Sequence, residues 1–110
     1  MIKTFEEFET AIAQFAIYPE ANTRSKNALA YCALGLTGEA GEYSEKIKKL
    51  LRDGTLDREL SAKELGDVLW YVTRSANELG YTLDQIANEN IKKLSSRQER
   101  GVLRGSGDAR

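Results

Sequence analysis

The chain has 110 residues, of which 41% are hydrophobic and 30% charged, and it contains a single proline, Pro19. This length and composition predict one globular domain with long helices and exclude a disordered chain. Sixteen basic and seventeen acidic residues give a net charge of −1, so no overall positive field favours direct nucleic-acid binding.

Histidine is absent, and Cys32 is the only cysteine. The lone cysteine excludes an intramolecular disulfide, and the lack of histidine removes the commonest general base and the commonest transition-metal ligand. Any chemistry must therefore use carboxylates, amines, guanidinium groups or hydroxyls. The sequence has no basic leader segment and no run of 18 apolar residues, so we expect a cytoplasmic protein without a membrane span.

Hydrophobic spacing and capping patterns predict four helices and no strand. Turn residues separate them: Pro19 follows the first, Gly54 follows the second, and Gly80, which suits a left-handed cap, follows the third. The predicted helices run from about Phe5 to Ala16, from Ser25 to Leu51, from Asp57 or Arg58 to Leu79, and from the Thr82/Gln85 capping box to Arg100. We therefore predict an all-α, bundle-like single domain over residues 1–100.

Residues 101–110, GVLRGSGDAR, form a basic, glycine-rich C-terminal tail. From Ile91 to Arg110 the chain has six basic and two acidic residues, so positive charge is concentrated at this end. Terminal segments of this kind are mobile unless they are tied down. We therefore predict a flexible tail unless another part of the protein holds it.

Two pairs of carboxylates lie within the second and third predicted helices. Glu39 and Glu42 form the first pair, and Glu64 and Asp67 form the second. At about 100° per residue, each pair projects onto a mostly apolar side of its helix. The neighbours on those sides are Ala28, Cys32, Gly35, Leu36, Tyr43 and Leu50 in the second helix, and Leu60, Val68, Tyr71, Ser75 and Leu79 in the third.

Such pairs are most often solvated surface groups, because acidic side chains are rarely buried unless they are paired. Here the apolar neighbours favour an inward orientation, in which four carboxylates would repel one another and lose hydration. Lys46, on the same face, neutralises at most one of them. A bound divalent cation would neutralise the remaining negative charge. Oxygen ligands without histidine favour magnesium, manganese or calcium over zinc or a di-iron site.

Four glycines inside these helices need an explanation, since each costs a helix about 1 kcal/mol relative to alanine. Gly41 and Gly66 project opposite the acids, where they would let another helix approach closely. Gly35 and Gly38 project beside the acids and would leave room for a ligand. The alternative is that some of these glycines mark a local break in the second helix.

The segments GEAGEYSEKIKKLLRDG and AKELGDVLWYV resemble the MazG-like all-α nucleotide pyrophosphohydrolases, and the resemblance extends over roughly Ala28 to Arg100. That family carries Glu-x-x-Glu on one helix and Glu-x-x-Asp on the next. The resemblance implies Mg²⁺-dependent hydrolysis of (deoxy)nucleoside triphosphates to monophosphate and pyrophosphate, as a general or house-cleaning activity, with Mn²⁺ as a substitute. It also implies a homodimer or homotetramer in which helices of one protomer complete the pocket of another.

By similarity to the family, four carboxylates hold the metal: Glu39, Glu42, Glu64 and Asp67. Glu39 or Glu42 is the catalytic candidate, as the carboxylate that orients or deprotonates the attacking water. Lys46 lies beside the acids and is a candidate for contacting the substrate. Tyr71 is a candidate for stacking on the base, whereas Trp70 projects away from the acids and is expected in the core or a subunit interface.

Asn90, Lys93, Arg97 and Arg100 fall along one stripe of the fourth helix, where they could meet phosphate oxygens, and the first three are the candidates for binding the substrate. The alternative explanation is that cations near a helix C-terminus interact favourably with the helix dipole. Two other functions also remain open. One is a non-catalytic helical interaction module with a structural or regulatory divalent metal, and the other is the related phosphoribosyl-ATP pyrophosphohydrolase of histidine synthesis.

Overall fold

The computed structural model describes all 110 residues and contains four α-helices and no strand. The helices are α1 (Phe5–Ile12), α2 (Lys26–Asp53), α3 (Arg58–Glu78) and α4 (Leu83–Glu99). The all-α prediction is confirmed, and the ends of α2, α3 and α4 lie within two residues of those expected. The first helix differs because it tightens into a 3₁₀ turn over Ala13–Phe15, where Ala16 N bonds to Ala13 O.

Side chains cap the N-terminus of every helix, which explains why the starts could be predicted locally. The capping oxygens belong to Thr4, Ser25, Asp57 and Thr82. Thr82 and Gln85 form the complete capping box, with Gln85 Oε1 accepting from Thr82 N at 2.8 Å. Each such cap contributes about 1 kcal/mol. Gly80 adopts the predicted left-handed conformation after α3, with φ of 88°.

Helices α2 and α3 pack along each other as a long antiparallel hairpin, while α4 packs against α1 and α3. Helix α2 runs without interruption through its glycines, so the suggestion of a local break is wrong. Nothing in the chain lies within 4 Å of a Cβ placed on Gly41 or Gly66, so the expected close helix approach does not occur inside one chain. None of the helices combines the length and apolar character needed to cross a membrane.

The buried core is small. Eleven residues are buried and only six of them are hydrophobic. The central cluster, Tyr18, Ala28 and Cys32, packs against Trp70 and Tyr71. Elsewhere large apolar side chains remain exposed, so much of the apolar surface has no covering within a single chain.

A buried polar network holds the segment between α1 and α2 against α3. The Glu78 carboxylate accepts hydrogen bonds from Asn22 N at 2.8 Å, from Arg24 N at 2.9 Å and from the Tyr18 hydroxyl. Arg74 Nη2 lies 3.5 Å from Glu78 Oε2, and both side chains are buried. Burial favours a raised pKa for Glu78, but these hydrogen bonds and the charge of Arg74 outweigh it and hold the pKa below its usual value.

The C-terminal tail turns back onto α4. Asp108 forms ion pairs with Lys93 and Arg97, and the Arg100 guanidinium donates to the carbonyl of Arg110 at 2.6 Å. The sequence predicted a flexible segment unless something held it, and these are the contacts that hold it in the structure.

A candidate metal centre between two helices

Helices α2 and α3 bring three of the four predicted metal ligands together. Carboxylate oxygens of Glu39, Glu64 and Asp67 lie within 4.8 Å of one another. Glu39 comes from α2, whereas Glu64 and Asp67 lie three residues apart on one face of α3. Three such oxygens can surround one hard divalent cation, because these ions bind oxygen at about 2.0–2.6 Å.

The environment of Glu39 is unfavourable for a negative charge. Burial raises its pKa, and the negative charges of Asp67, Glu64 and Glu42 raise it further. No lysine or arginine lies within 4.0 Å of any of the four carboxylates. Without a compensating charge from the protein, the cluster favours a bound cation.

Glu42 and Lys46 lie outside the cluster. Glu42 is exposed one turn beyond Glu39, and its charge has the smallest of the three effects on the Glu39 pKa. Glu42 therefore occupies the rim of the site. The expectation that both acid pairs face inward is wrong in part, because Glu42 and Asp67 are exposed whereas Glu39 and Glu64 are half-buried. Lys46 is half-buried, forms no ion pair and does not line the adjoining cleft.

A cleft of about 270 Å³ adjoins the cluster, and it is lined by Glu39, Asp67, Trp70 and Tyr71. The two aromatic rings meet edge to face with their centroids 5.0 Å apart. Tyr71 thus lies beside the acids, as the helical projection predicted. Trp70 packs against the core cluster, as expected, but it also lines the cleft beside Glu39 and Asp67, so the expectation that it points away from the acids is wrong. Asp67 and Trp70 are three residues apart and are therefore neighbours on the surface of α3. That three-residue spacing was the signal that could have identified Trp70 as a residue of the cleft.

Tyr71 occupies the space above Gly35. A Cβ at position 35 would lie 2.2 Å from Tyr71 Cε1 and 2.4 Å from Cζ, so the ring can cross α2 here only above a glycine. The expectation that Gly35 leaves room for a ligand is therefore wrong, since the ring takes that room. Gly38 has no neighbour within 4 Å and remains open.

Two further aromatic residues, which the sequence reasoning missed, connect the cleft to the core. Tyr31 lies 6.5 Å from Tyr71 and stacks on Tyr18 with a centroid distance of 5.2 Å. Tyr31 precedes Gly35 by four residues, and this spacing could have placed it on the inward face of α2. No comparable sequence pattern predicts the position of Tyr18, because this residue reaches α2 and α3 from the irregular segment before α2.

The predicted phosphate contacts on α4 lie apart from the carboxylates. Asn90 and Lys93 line a separate cleft of about 330 Å³. Arg97 is only 6% exposed and pairs with the tail residue Asp108. No residue of α4 lines the cleft beside the acidic cluster. A single chain therefore does not bring the basic stripe and the carboxylates into one pocket.

Comparison with known proteins identifies the family. The family model described as MazG nucleotide pyrophosphohydrolase domain matches residues 28–102, which include the four carboxylates and the basic stripe. The Gene 37 protein of Mycobacterium phage L5 is 46% identical in an alignment that covers 94% of this chain and 96% of that protein. No solved structure gives a significant match. The chain therefore belongs to the MazG nucleotide pyrophosphohydrolase family.

Proposed function

We propose that this protein hydrolyses a ribo- or deoxyribonucleoside triphosphate to the nucleoside monophosphate and pyrophosphate, with Mg²⁺ as its cofactor. The observation that carries the proposal is the gathering of three carboxylates within 4.8 Å beside a cleft with an aromatic wall. Both features lie within the residues that match the family. The carboxylates suit a metal-bound triphosphate, and the rings suit a nucleobase.

The donor set fits a hard divalent cation. All the candidate ligands are carboxylates, and the chain has no histidine, so Mg²⁺ is favoured and Mn²⁺ should substitute for it. We assign Glu39, Glu64 and Asp67 as ligands, with Glu42 as a fourth ligand from the rim. When bound, the ion neutralises the carboxylates and stabilises negative charge on phosphoryl oxygens.

Glu39 is our candidate for the catalytic base. Its carboxylate lies both in the acidic cluster and on the wall of the cleft, within reach of a water beside the bound phosphates. In the proposed reaction the water oxygen forms a bond to the α-phosphorus, a proton of that water passes to the carboxylate, and the bond to the leaving pyrophosphate breaks. Glu42 is the alternative base, because it lies one helical turn away and is exposed to water.

The remaining candidate contacts divide between the base and the phosphates. Tyr71 and Trp70 form the side of the cleft on which a base can stack. The phosphates carry several negative charges, which basic and amide side chains can bind. For this role we propose Lys46 on α2 and Asn90, Lys93 and Arg97 on α4.

A second copy of the chain would supply the contacts that one chain lacks. Leu34 and Leu51 are 74% and 84% exposed. The radius of gyration is 16.4 Å, whereas a compact domain of this length has about 13 Å. Association would bury this apolar surface, at about 25 cal/mol per Å². We propose a homodimer or homotetramer in which α4 of one protomer presents its basic stripe to the carboxylates of another.

Pyrophosphate release from a panel of common and modified nucleotides, including phosphoribosyl-ATP, tests the proposal. We expect release that requires Mg²⁺ or Mn²⁺ and that falls by at least about 100-fold in folded Glu64→Gln and Asp67→Asn variants. Glu45→Gln is the matched control, because Glu45 also lies on α2 but pairs with Lys48 at 2.9 Å. Full activity in both site variants would contradict the assigned site.

The second candidate function is a non-catalytic interaction module with a structural or regulatory divalent metal. The exposed apolar side chains favour it, because they offer a surface for another protein. Both candidates predict metal binding, which calorimetry measures. Only the enzyme predicts pyrophosphate release, so a blank panel from folded, metal-binding protein would favour the module.

A further inference from the structure

The C-terminal tail is a closed loop with a defined structure. The guanidinium of Arg110 donates hydrogen bonds to three backbone carbonyls, those of Val102 at 3.0 Å, Leu103 at 2.9 Å and Gly107 at 2.8 Å. These bonds tie the last residue of the chain to the beginning of the tail. The position of Asp108 is therefore set by the loop as a whole.

The loop places a carboxylate on the basic stripe of α4. Asp108 Oδ1 lies 2.8 Å from Lys93 Nζ and 3.1 Å from Arg97 Nη2. Arg97 also donates to the backbone carbonyl of Asp108. The hydrogen bonds from Lys93 and Arg97 lower the pKa of Asp108, so this group is a charged anion at neutral pH.

The exposure of Asp108 indicates that another anion can replace its carboxylate on Lys93 and Arg97. The side chain of Arg97 is 7% exposed, but that of Asp108 is 83% exposed, so the carboxylate is largely surrounded by water. Exposed ion pairs are weak and are screened by salt. Phosphate oxygens bind a guanidinium group in the same geometry as a carboxylate. A polyphosphate, which carries more charge, can therefore replace Asp108 without any change in α4.

We propose that the tail is an internal competitor of the substrate, in which Asp108 occupies the position on Lys93 and Arg97 that a nucleotide phosphate takes. Nucleotide binding then requires release of the loop. This inference rests on the proposed function for the identity of the ligand. The tail lowers affinity for the ligand and leaves the chemical step unchanged, because Asp108 has left Lys93 and Arg97 once the phosphate has taken its place.

The test uses full-length Asp108→Asn and isothermal titration with inorganic tripolyphosphate in metal-free buffer. Glu99→Gln is the matched control, since it removes the same charge from an exposed position on α4 that makes no ion pair. We expect Asp108→Asn to bind tripolyphosphate about twofold to fivefold more tightly, the range expected for an exposed ion pair. Glu99→Gln should differ from the native protein by less than this.

A second variant separates the loop from its charge. Arg110→Gln opens the loop but keeps Asp108, so it should tighten tripolyphosphate binding by a smaller factor. Circular dichroism establishes that all variants keep their helices. In the nucleotide assay, Asp108→Asn should lower KM by the factor seen with tripolyphosphate and leave kcat unchanged.

Unchanged or weaker tripolyphosphate binding by Asp108→Asn would overturn the proposed competition, whether or not the protein hydrolyses nucleotides. Tighter binding in a protein that hydrolyses no nucleotide would support the competition and refute the proposed function. The two proposals can therefore fail separately.

Discussion

Replacing Gly35 with alanine tests the packing that shapes the cleft. The new Cβ would lie 2.2 Å from Tyr71 Cε1, whereas carbon atoms attract each other best at about 3.5–4.0 Å, so the ring would have to move by about 1.3 Å. Overpacking costs about 1–3 kcal/mol, whereas alanine in place of a helical glycine gains about 0.5–1 kcal/mol. We expect a net destabilisation of about 1–2 kcal/mol, measured by urea unfolding.

A double-mutant cycle separates the clash from the helix propensity. In a Tyr71→Ala background the ring is absent, so Gly35→Ala should stabilise the protein by about 0.5–1 kcal/mol. Gly38→Ala is the matched control, because it lies on the same helix with no neighbour within 4 Å, and it should also be stabilising. The proposed packing would be refuted if the effects of Gly35→Ala and Tyr71→Ala on the free energy of unfolding were additive. It would also be refuted if the Gly35→Ala variant were as stable as the Gly38→Ala variant.

Three further experiments address the buried network, the metal and the cleft. Glu78→Gln should lower the free energy of unfolding by about 3 kcal/mol, because it leaves buried Arg74 without its partner, and a loss below about 1 kcal/mol would show a weaker network. Since the pKa of Glu78 is held below its ordinary value, its contribution is present above the unfolded pKa of 4.5 and is lost as the pH falls through the folded pKa. The stabilities of the native and Glu78→Gln proteins should therefore converge in acid, and a constant difference would contradict this. Mg²⁺ at 100 times its Kd should stabilise the native protein by about 2.7 kcal/mol in thermal unfolding, and an equal effect on Glu64→Gln would argue against the metal centre. Trp70 is the only tryptophan and lines the cleft, so a non-hydrolysable nucleotide should change its fluorescence, and an unchanged spectrum at saturation would remove Trp70 from the binding site.

The helices and their ends could be predicted because the interactions that define them are local. Thr82 and Gln85 satisfy each other's backbone groups three residues apart, and Gly80 supplies a conformation that few other residues adopt. The spacing of Glu64 and Asp67 also places both on one face of α3 without knowledge of the rest of the fold. Trp70 lies three residues beyond Asp67, at the edge of that face, so the projection alone did not show that its ring would line the cleft.

Contacts between distant parts of the chain could not be predicted in this way. Glu78 binds backbone groups of residues more than fifty positions earlier, and no periodic pattern relates them. The same holds for Asp108, which reaches Lys93 through a loop whose shape depends on the hydrogen bonds of Arg110.

The sequence patterns were thus sufficient to predict an all-α chain, its capped helices and the helix faces that carry the acidic pairs, because each depends on residues a few positions apart. The convergence of Glu39 with Glu64 and Asp67, the position of Glu42 at the rim and the placement of Tyr71 over Gly35 depend on how α2 and α3 align along the hairpin. Side-chain packing over its full length sets that alignment, and no single segment contains this information.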